Sequence, residues 1–76
     1  MARIKINGEA PFQVLAHSFS VSPSSEGYTL NYSADGINYD AWDKETPADE
    51  TLFVLNVPKL SYFKLVGNGS DVIINY

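Results

Sequence analysis

The sequence predicts an all-β domain, a small antiparallel β-sandwich or barrel of about seven short strands. Three observations carry that prediction. Apolar and polar residues alternate with period two through most of the chain, and no longer window shows a helical stripe. Turn signals recur mostly about nine to twelve residues apart, at Asn7-Gly8, Pro23 to Gly27, Asp35-Gly36, Pro47, Pro58 and Gly67 to Ser70. The aromatic share, 13%, supplies bulk for a core in a chain that has no cysteine to staple it.

The elements follow in order. Ala2, Ile4 and Ile6 alternate with Arg3 and Lys5, which predicts a first strand with one wet face before the Asn7-Gly8 turn. After Pro11, Phe12 to Ala16 reads as a second short strand, and His17 to Ser22 as a third with Phe19 and Val21 inward. Pro23 to Gly27 is a loop by composition. Tyr28, Leu30 and Tyr32 then share the inward face of a fourth strand. Asp35-Gly36 supplies the positive φ of a tight hairpin turn, with Ile37 to Trp42 as the return arm.

Asp43 to Glu50 holds four acids among eight residues and is a surface loop with room for one helical turn. Thr51 to Val57 is apolar on both faces, so it is expected to be a central strand. Ser61 to Val66 and Asp71 to Tyr76 close the sheet list. The last of these lacks the lysine, proline or bulge that blunts an open edge. It should therefore be paired, by the first strand or by another chain.

Length bounds the rest. Seventy-six residues make one domain, 1–76, that buries only about 60% of its unfolded surface. With no cysteine, disulfides and thiolate metal sites are excluded, which leaves oligomerisation, docking on a larger assembly or tight packing as sources of stability. Net charge is −4, and the five bases are scattered, so no nucleic-acid face is expected. No membrane span and no signal-peptide h-region can be read, which predicts a chain made in the cytoplasm.

Chemistry is sparse. His17 is the sole histidine, and neither a nucleophile motif nor a paired carboxylate accompanies it, so no catalytic residue is assigned. Asp35, Asp40, Asp43, Glu45, Asp49 and Glu50 cluster along the hairpin and the loop after it. Calcium would need six to eight oxygens from such a set, but the spacing fits no calcium loop. A solvated acidic face is the simpler reading, and no metal or cofactor is assigned. Tyr39 and Trp42 have opposite parity in an unbulged strand, so one of them should face outward. Tyr39, Trp42, Tyr62 and Tyr76 are the candidate partner-binding residues, as stacking platforms or hot spots.

The stretch Tyr28 to Trp42 has the pattern Y-x-L-x-Y-S-x-D-G-x-x-Y-x-x-W, in which Tyr28, Leu30, Tyr32, Ser33, Asp35, Gly36 and Trp42 carry a likeness. It resembles the central strand–turn–strand of discoidin (coagulation-factor type C) domains, which are carbohydrate- and lipid-binding β-sandwiches. Tyr62-Phe63-Lys64-Leu65 resembles a later strand of that family. The resemblance implies a sandwich. The family's ligand loops have no equivalents here, so no binding residue is carried over. As a kind of gene product, the chain resembles the small β-rich accessory proteins of tailed-phage virions, such as head-decoration and fibre-associated proteins.

These readings converge on a non-enzymatic structural or interaction module, a virion accessory protein acting through protein–protein contacts. The partner would be itself, as a homo-oligomer, or a larger assembly. The terminal strands, Ala2–Ile6 and Val72–Tyr76, are the expected assembly elements. The alternative is a small carbohydrate-binding module whose exposed aromatics stack on a glycan.

Overall fold

A computed structural model describes residues 2–42 and 45–76. Among these are eight strands, β1 (Arg3–Asn7), β2 (Phe12–Gln13), β3 (Ser18–Val21), β4 (Thr29–Ser33), β5 (Asp40–Ala41), β6 (Leu52–Leu55), β7 (Tyr62–Val66) and β8 (Asp71–Asn75). They form two four-stranded sheets, in the orders β1-β8-β3-β6 and β2-β7-β4-β5. Every pairing is antiparallel. The fold is the all-β sandwich that the alternation predicts, with one strand more than the count read from the turns. No helix occurs among the described residues, including the described part of the acidic loop.

The alternation explains the core. Each strand turns every second side chain inward, and Ile6, Phe19, Val21, Val54, Val72 and Ile74 from one sheet meet Phe12, Leu30, Phe63 and Leu65 from the other. At the centre, the Phe19 ring sits edge-on to Phe63 at 4.9 Å and to Phe12 at 5.8 Å. These are the offset geometries that aromatic quadrupoles favour, and they tie the two sheets together.

Two expectations need correction. Thr51 to Val57 is not central. Its strand, β6, pairs only with β3 among the described residues and forms a sheet edge. Being apolar on both faces does not require a neighbour on both sides. Asn56 then takes a positive φ of 60° and ends the strand, and Val57 dives into the core, its N–H bonded to the His17 carbonyl. Second, the turn at Asp35-Gly36 is not a tight one. β4 and β5 are joined by a wider loop, with Tyr32 opposite Asp40.

Gly36 does adopt a positive φ, 79°, and a Cβ there would stand 3.2 Å from the Tyr62 ring. Two side chains organise this loop. Ser33 Oγ accepts from the Asp35 and Gly36 amides, and Asp35 Oδ1 accepts from the Ile37 and Asn38 amides. Such side-chain acceptors stand in for the missing two-residue turn.

The last strand, β8, is covered by the first, as its lack of edge protection predicts. It is paired on both sides, along its length by β1 and at Asn75 and Ile74 by β3, so it is a central strand. A charge-free strand thus lies where no edge needs blunting.

One end of the sandwich is closed by a buried polar latch. Asn68, 4% exposed, donates from Nδ2 to the carbonyls of Gly8 and Ser70 and accepts on Oδ1 from Ser24 Oγ. Three loops are fastened by that one amide, each of its hydrogen bonds compensating the desolvation of a buried polar group.

Candidate functional site

A sandwich of two open sheets has four edges, and they are handled differently. In the second sheet both edge strands, β2 and β5, are only two residues long. Brevity itself protects an edge. In the first sheet the edges are β1, with Arg3 and Lys5, and β6, with the sequence LFVL. Phe53 is 72% exposed and Leu55 66%. Leu15 and Leu60, also exposed, lie in the segments that flank β3 and β6.

The hydrogen-bond ladder fixes which backbone groups β6 leaves open. The Ser22 amide donates to the Ile73 carbonyl, so Ser22 and Ser20 point their main-chain groups at β8. Phe19 and Val21 therefore point at β6, where their partners are Val54 and Leu52. By alternation, the N–H and C=O groups of Thr51, Phe53 and Leu55 face outward from the edge. The side chains of Phe53 and Leu55 project from the outer face of the same sheet. Backbone and apolar side chains are thus presented together.

A cleft of about 380 Å³ runs beside this edge. Leu52 to Leu55 form one wall, and Leu30, Trp42, Thr46 and Pro47 the other, with Glu45 and Glu50 also lining it. Trp42 is half-buried, its amide donating to the Leu30 carbonyl and its ring set edge-on to Tyr32 at 5.1 Å. Of the opposite-parity pair, Trp42 is therefore the one that turns inward, as a wall of the cleft.

Tyr39 is the outward member. It lies on the outer face of the second sheet, where Lys64 Nζ stands 4.2 Å from its ring centroid. A cation over a tyrosine face is attractive by about 0.5–1 kcal/mol at exposed sites and by more when desolvated, and here both residues are half-buried. Tyr62 shares this face two residues before Lys64, opposite Ser33 on β4, its ring against Gly36. Tyr76 is elsewhere. It is half-buried against the core at the far end of β8, and its backbone exchanges two hydrogen bonds with Ala2. The four candidate aromatics thus divide among three places, and only Tyr39 and Tyr62 share a face.

Among the described residues the acids do not gather into a metal centre. Asp35 is spent on its own loop, where the Asn38 and Ile37 amides, the Ser33 hydroxyl and the Asn38 side chain hold its carboxyl well below the usual carboxylate range. Asp43 lies outside the described residues. Among the described residues no three His, Asp or Glu side chains come together as ligands. His17 lies on the surface, with Nδ1–H donating to the Val57 carbonyl at 2.8 Å. That bond secures the strand end after Asn56.

Sequence reasoning passed over Phe53 and Leu55, because an apolar run reads as buried. No family model, curated protein or solved structure matches the chain.

Proposed function

We propose that this chain is a non-enzymatic interaction module that works through protein–protein contacts, with β6 and the cleft beside it as the contact element. The observation that carries the reading is the β6 edge, where main-chain groups left unpaired among the described residues coincide with the exposed side chains of Phe53 and Leu55. Strand addition at such an edge supplies main-chain hydrogen bonds, and side-chain pockets supply specificity. The cleft between Val54 and Trp42 is that pocket. The setting we favour is a virion accessory protein, in capsid decoration or at a fibre, where a small domain gains stability by docking on a larger surface. That setting rests on the analogy of size and composition alone.

The test is a selection of displayed extended peptides on the chain immobilised sparsely, so that copies cannot meet. Clones that bind the parent chain and lose binding to Phe53→Pro are the expected result. A selection that yields no clone distinguishing the two would remove the edge from consideration as a foreign contact element.

A second reading, the carbohydrate-binding module, draws on the Tyr39–Lys64–Tyr62 face, with Asn31 and Ser33 beside it. Half-buried tyrosines beside hydrogen-bonding groups are the pattern on which sugar rings stack. Sugar-induced shifts of the Tyr39 and Tyr62 ring signals, absent in Tyr39→Ala, would support it.

A further inference from the structure

We infer that the occupant of the β6 edge is a second copy of this chain, added antiparallel across a two-fold axis at Phe53. This inference rests on the reading of β6 as the contact element and names its partner. The outward-facing main-chain groups belong to Thr51, Phe53 and Leu55, the odd positions of the run, as the β3–β8 and β3–β6 registers require. They are symmetric about Phe53. A two-fold axis there sets Phe53 opposite Phe53 and Thr51 opposite Leu55, so every open group meets a complementary one. About six main-chain hydrogen bonds result, two for each of three facing pairs. An axis at Val54 would instead set Thr51 opposite Val57, which has already left the strand and bonded to His17.

The side chains agree with this register. In antiparallel pairing, opposed residues share a face, so the two Phe53 rings meet on the outer face and cover each other. On the inner face, the second copy's Leu52 lies against Val54, at the mouth of the cleft that Trp42 and Leu30 line. Charge agrees as well. The approach to β6 carries Asp49 and Glu50, and the exit carries Lys59. Antiparallel addition lays each copy's acidic approach beside the other's Lys59, whereas parallel addition would set acid beside acid. The product is a continuous eight-stranded sheet, with β6 converted from edge to centre.

Sedimentation equilibrium from micromolar to millimolar concentration tests this. The expected mass at the upper end is twice the 8.4 kDa of one chain. Phe53→Pro removes only an outward N–H and should leave a folded monomer, because proline is tolerated where the strand's amide faces solvent. Phe53→Lys should stay folded and weaken association at least tenfold, deciding the matter if the proline variant does not fold. A chain that stays monomeric across the range overturns the inference, as does a dimer indifferent to both substitutions. A monomer that still captures peptides at the edge would overturn self-pairing alone. A monomer with no selectable peptide would overturn the interaction reading as well.

Discussion

The two edges of the first sheet present the same geometry and opposite chemistry. On β1, the Ala2–Tyr76 hydrogen bonds set Ala2, Ile4 and Ile6 toward β8, leaving the main-chain groups of Arg3, Lys5 and Asn7 facing out. On β6 the open groups are those of Thr51, Phe53 and Leu55. At both edges the open residues also turn their side chains to the outer face. β1 fills those positions with two cations and an amide, which oppose the approach of another strand. β6 fills two of its three with large apolar groups. An edge without such defence is either an aggregation hazard or a contact surface, and the difference lies in side chains, not in backbone.

Proline should separate the two sides of β6 more sharply than any other residue. Val54 is buried and its amide lies in the ladder to β3, whereas the Phe53 amide faces out. Val54→Pro removes a ladder bond and core volume together, and should cost about 3 kcal/mol or more. Phe53→Pro, one residue away, should cost well under half of that. Urea denaturation of the two monomers reads the contrast directly. Equal losses would mean that the parity assigned to β6 is wrong.

The β1 side is anchored in a way the β6 side is not. Asn68 reaches Gly8, the residue after β1, and Ser24, in the loop after β3. Asn68→Ala takes a partner from the buried Ser24 hydroxyl and the half-buried Gly8 carbonyl and should lower stability by about 2 kcal/mol. The loss should be local first, with amide exchange in β1 accelerating before that in β6. Uniform acceleration would assign the latch to global stability only.

The segment beside β6 is held through Tyr28, which exchanges two backbone hydrogen bonds with Thr46. The Tyr28 hydroxyl is buried with no partner among the described residues, and burial pushes its pKa up to about 12. In the unfolded chain it titrates near 10. The folded state thus keeps a proton that the unfolded state loses, so this contribution is intact below pH 10 and declines between about pH 10 and 12. Tyr28→Phe should flatten that part of the pH profile. It should also stabilise the fold by about 1 kcal/mol at neutral pH, since it removes an unsatisfied buried group. A neutral-pH loss instead would mean that the hydroxyl has a partner in solution.

Alternation made most of this molecule legible. Phe19, Val21, Leu30 and Ile74 are inward because a pleated strand offers no other place for every second residue, and parity alone required Tyr39 and Trp42 to part company. Strand order was not legible. β6 and β8 both read as apolar runs, yet one is an edge and the other is central, because neighbours are set by long-range pairing that no local pattern records. The wide loop after β4 was misread for a different reason. Asp-Gly specifies a positive φ at Gly36, but Ser33 and Asp35 supply enough acceptors to hold a longer connection. The candidate site was hidden by the same ambiguity as β6, since Phe53 and Leu55 are indistinguishable from core residues until their neighbours are known.

The smallest stability effect should carry the plainest test of what an edge residue does. Lys5 pairs with Asp71 at 3.3 Å, but both side chains are more than half exposed. Such a pair is worth about 0.5 kcal/mol at most. Lys5→Phe therefore barely changes the unfolding midpoint, and the aromatic fits a strand position at least as well as lysine does. It does give β1 an exposed aromatic beside an outward main-chain pair, which is the arrangement β6 already has. In a background carrying Phe53→Lys, so that β6 is closed, the variant should associate in a concentration-dependent way that the parent background does not. If it stays monomeric, apolar side chains at an open edge are insufficient for pairing, and the cleft beside Trp42 must supply what β1 lacks. If it associates, Lys5 is what keeps this edge closed, since Arg3 alone does not, and the absence of a cation at Phe53 is what distinguishes β6.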